Sequence, residues 1–133
     1  MKRVLLTAVI ALSVAGCSAH GGTANRPALH LPDPSAFTSG TCSTIADPVL
    51  ALGHFTYDKA TARLTDADRA ELVVQGEKLK AARESAEPAL ADQMMDVLMH
   101  IGFVRIRPGK AYDPQLLADV ETARQRLQGM CTT

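Results

Sequence analysis

The feature that most restricts how this 133-residue chain can fold is a switch in patterning at Cys42. Before it, Ser18 to Thr41 is broken by Gly21, Gly22, Asn25, Pro27, Pro32, Pro34, Ser35, Ser39 and Gly40, and its apolar residues follow no period. After it, apolar residues recur every three or four positions, the spacing that collects them on one face of a helix. Each such face must be buried against another element, so the periodic part packs helix on helix. The chain lacks Trp and has few aromatics, which also favours helices over a β-sandwich.

Four helices are expected. The first spans about Ser43 to Leu52, with Ile45, Val49 and Leu52 on one face and Gly53 as its stop; Pro48 disfavours helix at Asp47, which offers Asp47-Pro48 as an alternative start. A loop bearing Phe55 and Tyr57 follows. The second opens at Thr65-Asp66-Ala67-Asp68, whose side-chain acceptors and acids suit the free amides and positive dipole of a helix N-terminus, and extends to about Ala86. Leu72, Gly76, Leu79 and Arg83 form its stripe, with Gly76 a point of close helix approach. The third starts near Glu87-Pro88 and carries Leu90, Met94, Val97, Leu98 and Ile101. Gly102 ends or weakens it, and Phe103 to Arg107 alternates like a short extended segment before Pro108-Gly109. The fourth opens at Asp113-Pro114 and closes at Gly129, with Leu116, Leu117, Val120, Ala123, Arg124 and Leu127 inward. The expected fold is all-α: a small antiparallel four-helix bundle.

The N-terminus carries a different signal. Lys2 and Arg3 precede a continuous apolar run from Val4 to Val14, which ends in Val14-Ala15-Gly16-Cys17. The run is too short to cross a hydrocarbon core, which takes roughly 20 apolar residues, and basic start, apolar middle and small residues form an export signal. Val14-Ala15-Gly16-Cys17 resembles the lipobox of bacterial lipoproteins. The resemblance covers the first 17 residues and implies lipidation of the Cys17 thiol and cleavage after Gly16. Three regions follow: residues 1–16 as a removed signal peptide, 17–41 as a lipidated, disordered tether, and 42–133 as the helical domain. A tether of that length spans roughly 25 to 30 Å root-mean-square. Its two acyl chains, or three with an acylated amine, hold the protein on the membrane. The resemblance places it on the extracytoplasmic face.

In such an oxidising compartment Cys42 and Cys131, the remaining thiols, read as a disulfide joining the two ends of the helical domain. Closing a loop of that length is worth about 4 to 5 kcal/mol in the chain-entropy model.

The full chain balances 14 basic against 14 acidic residues, and loss of Lys2 and Arg3 leaves 12 against 14. That is not the basic footprint of a nucleic-acid binder. Three constellations carry polar or soft chemistry. Met94, Met95, Met99 and His100 present thioethers and an imidazole that suit Cu(I), although Met also fills helical cores. His54 with Asp58, and Asp96 with His100, are raw material for acid–base work, but no nucleophile elbow, metal-binding HExxH or phosphate loop accompanies them. Arg105, Arg107 and Lys110 beside Tyr112 form a basic loop that suits anionic headgroups or an acidic partner, or is simply solvated. His20 and His30 are isolated in the tether. The sequence therefore predicts no catalytic residue, no metal site and no cofactor. It predicts a membrane-anchored, non-catalytic interaction module, with a membrane and an envelope protein as partners; a small-ligand or copper-binding lipoprotein using the Met94 to His100 helix is the alternative.

Overall fold

The computed structural model describes residues 26–106 and 114–133. Four α-helices follow one 3-10 turn: α1 (Thr41–Lys59), α2 (Asp66–Arg83), α3 (Pro88–Arg105) and α4 (Pro114–Cys131). Each helix packs on its chain neighbour, and α4 closes on α1. Ile45, Val49, Leu52, Leu72, Leu79, Met94, Val97, Val120 and Leu127 form the fully buried centre, each worth roughly 1.5 to 3 kcal/mol of transfer free energy for the larger aliphatic side chains.

Contacts between neighbours pair in opposite chain order. Cys42 meets Cys131 while Thr56 meets Glu121; Thr41 meets Ser85 while Lys59 meets Asp68. The bundle thus has two ends. The first holds the start of α1, the end of α2, the start of α3 and the end of α4, and it is closed by the Cys42–Cys131 disulfide, with Cα atoms 5.2 Å apart. The second holds the end of α1, the start of α2, the end of α3 and the start of α4.

The start of α2 follows from its sequence. The Asp68 amide donates to Thr65 Oγ1 at 3.2 Å and the Thr65 amide donates to Asp68 Oδ2 at 2.7 Å, a reciprocal capping box. Lys59 Nζ lies 2.9 Å from Asp68 and ties α1 to this cap. Gly76 faces α3, but an added Cβ would rest 3.6 Å from Leu98 and 3.8 Å from Ile101, ordinary contact rather than the close approach expected.

Two helix ends differ from expectation. Gly53 does not stop α1, which continues through Phe55 and Tyr57 to Lys59. Burial of Phe55 and Thr56 favours another two turns, outweighing the roughly 1 kcal/mol cost of an internal glycine. Nor does Asp47-Pro48 begin the helix: Pro48 lies within it, and the carbonyl left without a donor belongs to solvent-exposed Thr44. Gly102 does not end α3, and Phe103 to Arg105 is helical, with Val104 buried between exposed neighbours. Over so few residues an in–out alternation suits either period.

Residues 26–41 do not hang free. Phe37 is 6 % exposed and bridges Thr132 in antiparallel fashion, and the Thr38 amide donates to the Cys131 carbonyl at 2.8 Å. Asp33 caps the turn Pro34–Ala36 through the Ser35 amide at 2.8 Å. Leu31 packs over Gly53, where an added Cβ would lie 2.7 Å from Leu31 Cδ2 and 3.3 Å from Arg124 Cζ. Gly53 is therefore the seat of this strap. Arg26 then stacks its guanidinium 3.8 Å from the centroid of Tyr57.

Candidate functional site

The strap and helices α1 and α4 enclose a cleft of about 390 Å³ at the second end of the bundle, walled by Arg26, Leu29, Tyr57, Pro114 and Leu117 and floored by Thr56 and Glu121. The floor is a polar network set into an apolar wall. Arg124 is 2 % exposed, and its Nε and Nη2 donate to Glu121 Oε2 and Oε1 at 2.8 and 2.7 Å, a two-pronged pair. Thr56 Oγ1 donates to Oε2 at 2.5 Å and Gln125 Nε2 to Oε1 at 2.8 Å. Burial pushes the Glu121 carboxyl up, but the donors from Arg124 and Thr56 and the Arg124 charge together outweigh it and hold the group below the ordinary glutamate value of 4.5. Four donors fill the roughly four lone-pair sites of a carboxylate. Glu121 is thus held as an anion with no acceptor capacity left for a substrate proton, and its evident work is to neutralise the buried guanidinium. Arg124 appears in the expected inward stripe of α4. Its partner three positions earlier could have been sought on that ground; Thr56, from another helix, could not.

The other sequence candidates divide. His54 and Asp58 line a shallow groove between α1 and α2, with Lys59, Asp68 and Glu71 nearby. Asp96 and His100 pair on α3, with His100 Nε2 3.5 Å from Asp96 Oδ1. Since α1 and α3 do not pack on each other, the two histidines are not brought into one site. Gln93 donates to Asp96 within α3 and to the Ala123 carbonyl of α4, both at 3.2 Å, so Gln93 is the helix-to-helix link and Asp96 holds it in place. Met94 is fully buried in the core, whereas Met95 and Met99 face solvent, so the methionines do not converge. No group of three His, Cys, Asp or Glu side chains fit to hold a metal occurs among the described residues. Cys17, His20, Arg107, Lys110 and Tyr112 lie outside them.

The outer face of α3 is the most unusual surface. Met95, Met99 and Phe103 are 42 to 48 % exposed and Ile106 is 73 % exposed. Their spacing of four, four and three places them on one helical stripe. The inward stripe, Leu90, Met94, Val97, Ile101 and Val104, is buried, so α3 is apolar on two faces while only one meets the core.

Comparison with known proteins identifies the N-terminal segment. The family described as "Prokaryotic membrane lipoprotein lipid attachment site" matches residues 1–18. The chain therefore bears a bacterial lipoprotein signal segment and is a lipid-anchored membrane lipoprotein. No curated protein and no solved structure matches it. Among the described residues no helix is long and apolar enough to cross a membrane.

Proposed function

We propose that this lipoprotein is a non-catalytic interaction module held by its lipid on the extracytoplasmic face of the membrane, and that it meets a protein of the cell envelope through Met95 and Met99 on the outer face of α3. The observation that carries this reading is the second apolar face of α3. Flexible, polarisable methionines recur at surfaces that adapt to a partner helix or groove. The polar groups nearest to a catalytic arrangement are otherwise engaged: Glu121 is saturated by donors and Asp96 accepts from Gln93, the side chain that joins α3 to α4.

The test is cross-linking in intact cells followed by detergent capture of the lipidated protein. One envelope protein is expected in near-stoichiometric yield, lost with Met95→Glu/Met99→Glu and with Cys17→Ala. Capture that survives the methionine changes would remove α3 as the contact face. No captured protein at all, from correctly anchored material, would end the interaction reading.

A further inference from the structure

We infer that the second end of the bundle, with Phe103, Arg105 and Ile106 at its rim, rests on the phospholipid surface, and that the disulfide end points away from it. The inference uses the lipid attachment at Cys17 on which the proposed function also depends, and adds an orientation.

The strap sets the geometry. If it were loose, the chain would leave the bundle at Thr41, beside the disulfide. Instead Phe37 lies at Thr132, Leu31 at Gly53 and Arg26 at Tyr57, so the strap climbs the length of α1 and delivers the chain to the opposite end. An 18-residue helix is about 27 Å long, so the exit point is displaced by nearly the height of the domain. From Arg26 to Cys17 is nine residues, which reach at most about 30 Å whatever their conformation. The second end is consequently kept within about 30 Å of the bilayer, whereas a tether of 24 residues would allow about 80 Å.

The same end has the chemistry of a headgroup contact. Ile106 and Phe103 project into solvent, and exposed Arg105 stands between them. Arg63, on the turn between α1 and α2, is exposed at the same end. Neither arginine makes an ion pair among the described residues, whereas Lys59 and Arg69 are matched by Asp68 and Asp66. Asp58 and Glu71, in the groove between α1 and α2, and Asp119 on α4 are the acids there outside these ion pairs. The disulfide end differs: its charges are mixed, with exposed Glu84 and Glu87 beside Lys80 and Arg83, and it has no exposed large apolar side chain other than Met130. Apolar tips flanked by unpaired cations suit the boundary between acyl chains and anionic headgroups; an end without such tips does not.

The test uses the full mature lipoprotein in bicelles of phosphatidylcholine and phosphatidylglycerol (3:1) doped with a gadolinium-chelating lipid, read as residue-by-residue broadening of amide and methyl signals. Broadening should be several-fold stronger at Phe103 to Ile106 and Ala60 to Arg63 than at Cys42, Glu84 to Glu87 and Thr132. Phe103→Asp/Ile106→Asp should lose the contrast while retaining the folded spectrum. Uniform broadening, broadening centred on the disulfide end, or sharp signals at Phe103 to Ile106 would overturn the orientation. The mass of the mature N-terminus is measured on the same sample: absence of diacylglycerol on Cys17 would strike at the lipoprotein reading itself, a result distinct from a lipidated protein that fails to orient.

Discussion

The two ends of the bundle are built from the same four helices and treated in opposite ways. At the disulfide end everything is tied: Cys42 to Cys131, Phe37 to Thr132, Thr38 to Cys131, Thr41 to Ser85. At the other end the order rests on charge, through Lys59 with Asp68 and Arg124 with Glu121, and large apolar side chains stay in solvent. Stability is concentrated where the chain is stapled, and adhesive surface where it is not. A domain held by a short lipid leash has use for both, because an exposed apolar rim is tolerable only on a frame that does not unfold when the rim is wetted.

Removing the staple should have the largest effect. Cys42→Ser/Cys131→Ser frees a loop of 89 residues in sequence separation and should lose about 4 to 5 kcal/mol, readable in denaturant titrations against the oxidised protein. A change below about 1 kcal/mol would show that the unfolded chain is already restrained. Next come Phe37 and Phe103, one at each end. Phe37→Ala should cost about 3 kcal/mol because its ring is the strap's buried anchor on the bundle, whereas Phe103→Ala should stay within about 0.5 kcal/mol. Equal costs would abolish the contrast. Arg124→Met leaves Glu121 with only Thr56 and Gln125 and should cost about 2 kcal/mol, lessened when Glu121→Gln is combined with it.

The smallest effect is pH dependence. The carboxyls of Glu121 and Asp68 are both held below their ordinary values, in each case because donors and a cation outweigh the upward push of burial. In the unfolded chain they take up protons more readily than in the folded one. Their contribution is therefore complete above the ordinary carboxylate range and disappears as the pH falls through their depressed folded values. Hydrogen exchange in acid should show amides near Thr56, Thr65 and Glu121 opening before those around Cys42 and Cys131. Simultaneous opening of both ends would contradict this, and Glu121→Gln should flatten part of the acid limb.

How much of this was legible in the chain depended on whether the signal was local. The capping box at Thr65 and the prolines at 88 and 114 fix helix starts through groups within a turn of each other, and three of the four starts were readable for that reason. The ends of α1 and α3 were misread because Gly53 and Gly102 look alike in sequence. Only Gly53 has a distant neighbour, Leu31, that would meet a side chain there, while a Cβ at Gly102 would meet nothing within 4 Å. The buried half of the expected tether was harder still. Phe37 and Leu31 are isolated apolar residues among prolines, and with no period to reveal a face, only the groove between α1 and α4 shows that each has a place. The same limit hid the cleft, whose floor joins Thr56 to Glu121 across 65 positions.

The strap also sets how the molecule answers to force. A pull on the lipid enters at Arg26 along the axis of the strap, so the stacking on Tyr57, Leu31 over Gly53 and the Phe37 bridge share the load in shear. Complete release to Thr41 would free about 50 Å of chain, after which the load meets a covalent loop that cannot lengthen. The strap is in that sense a sacrificial fuse: it yields first and spares the bundle, and it can rewind when the tension passes.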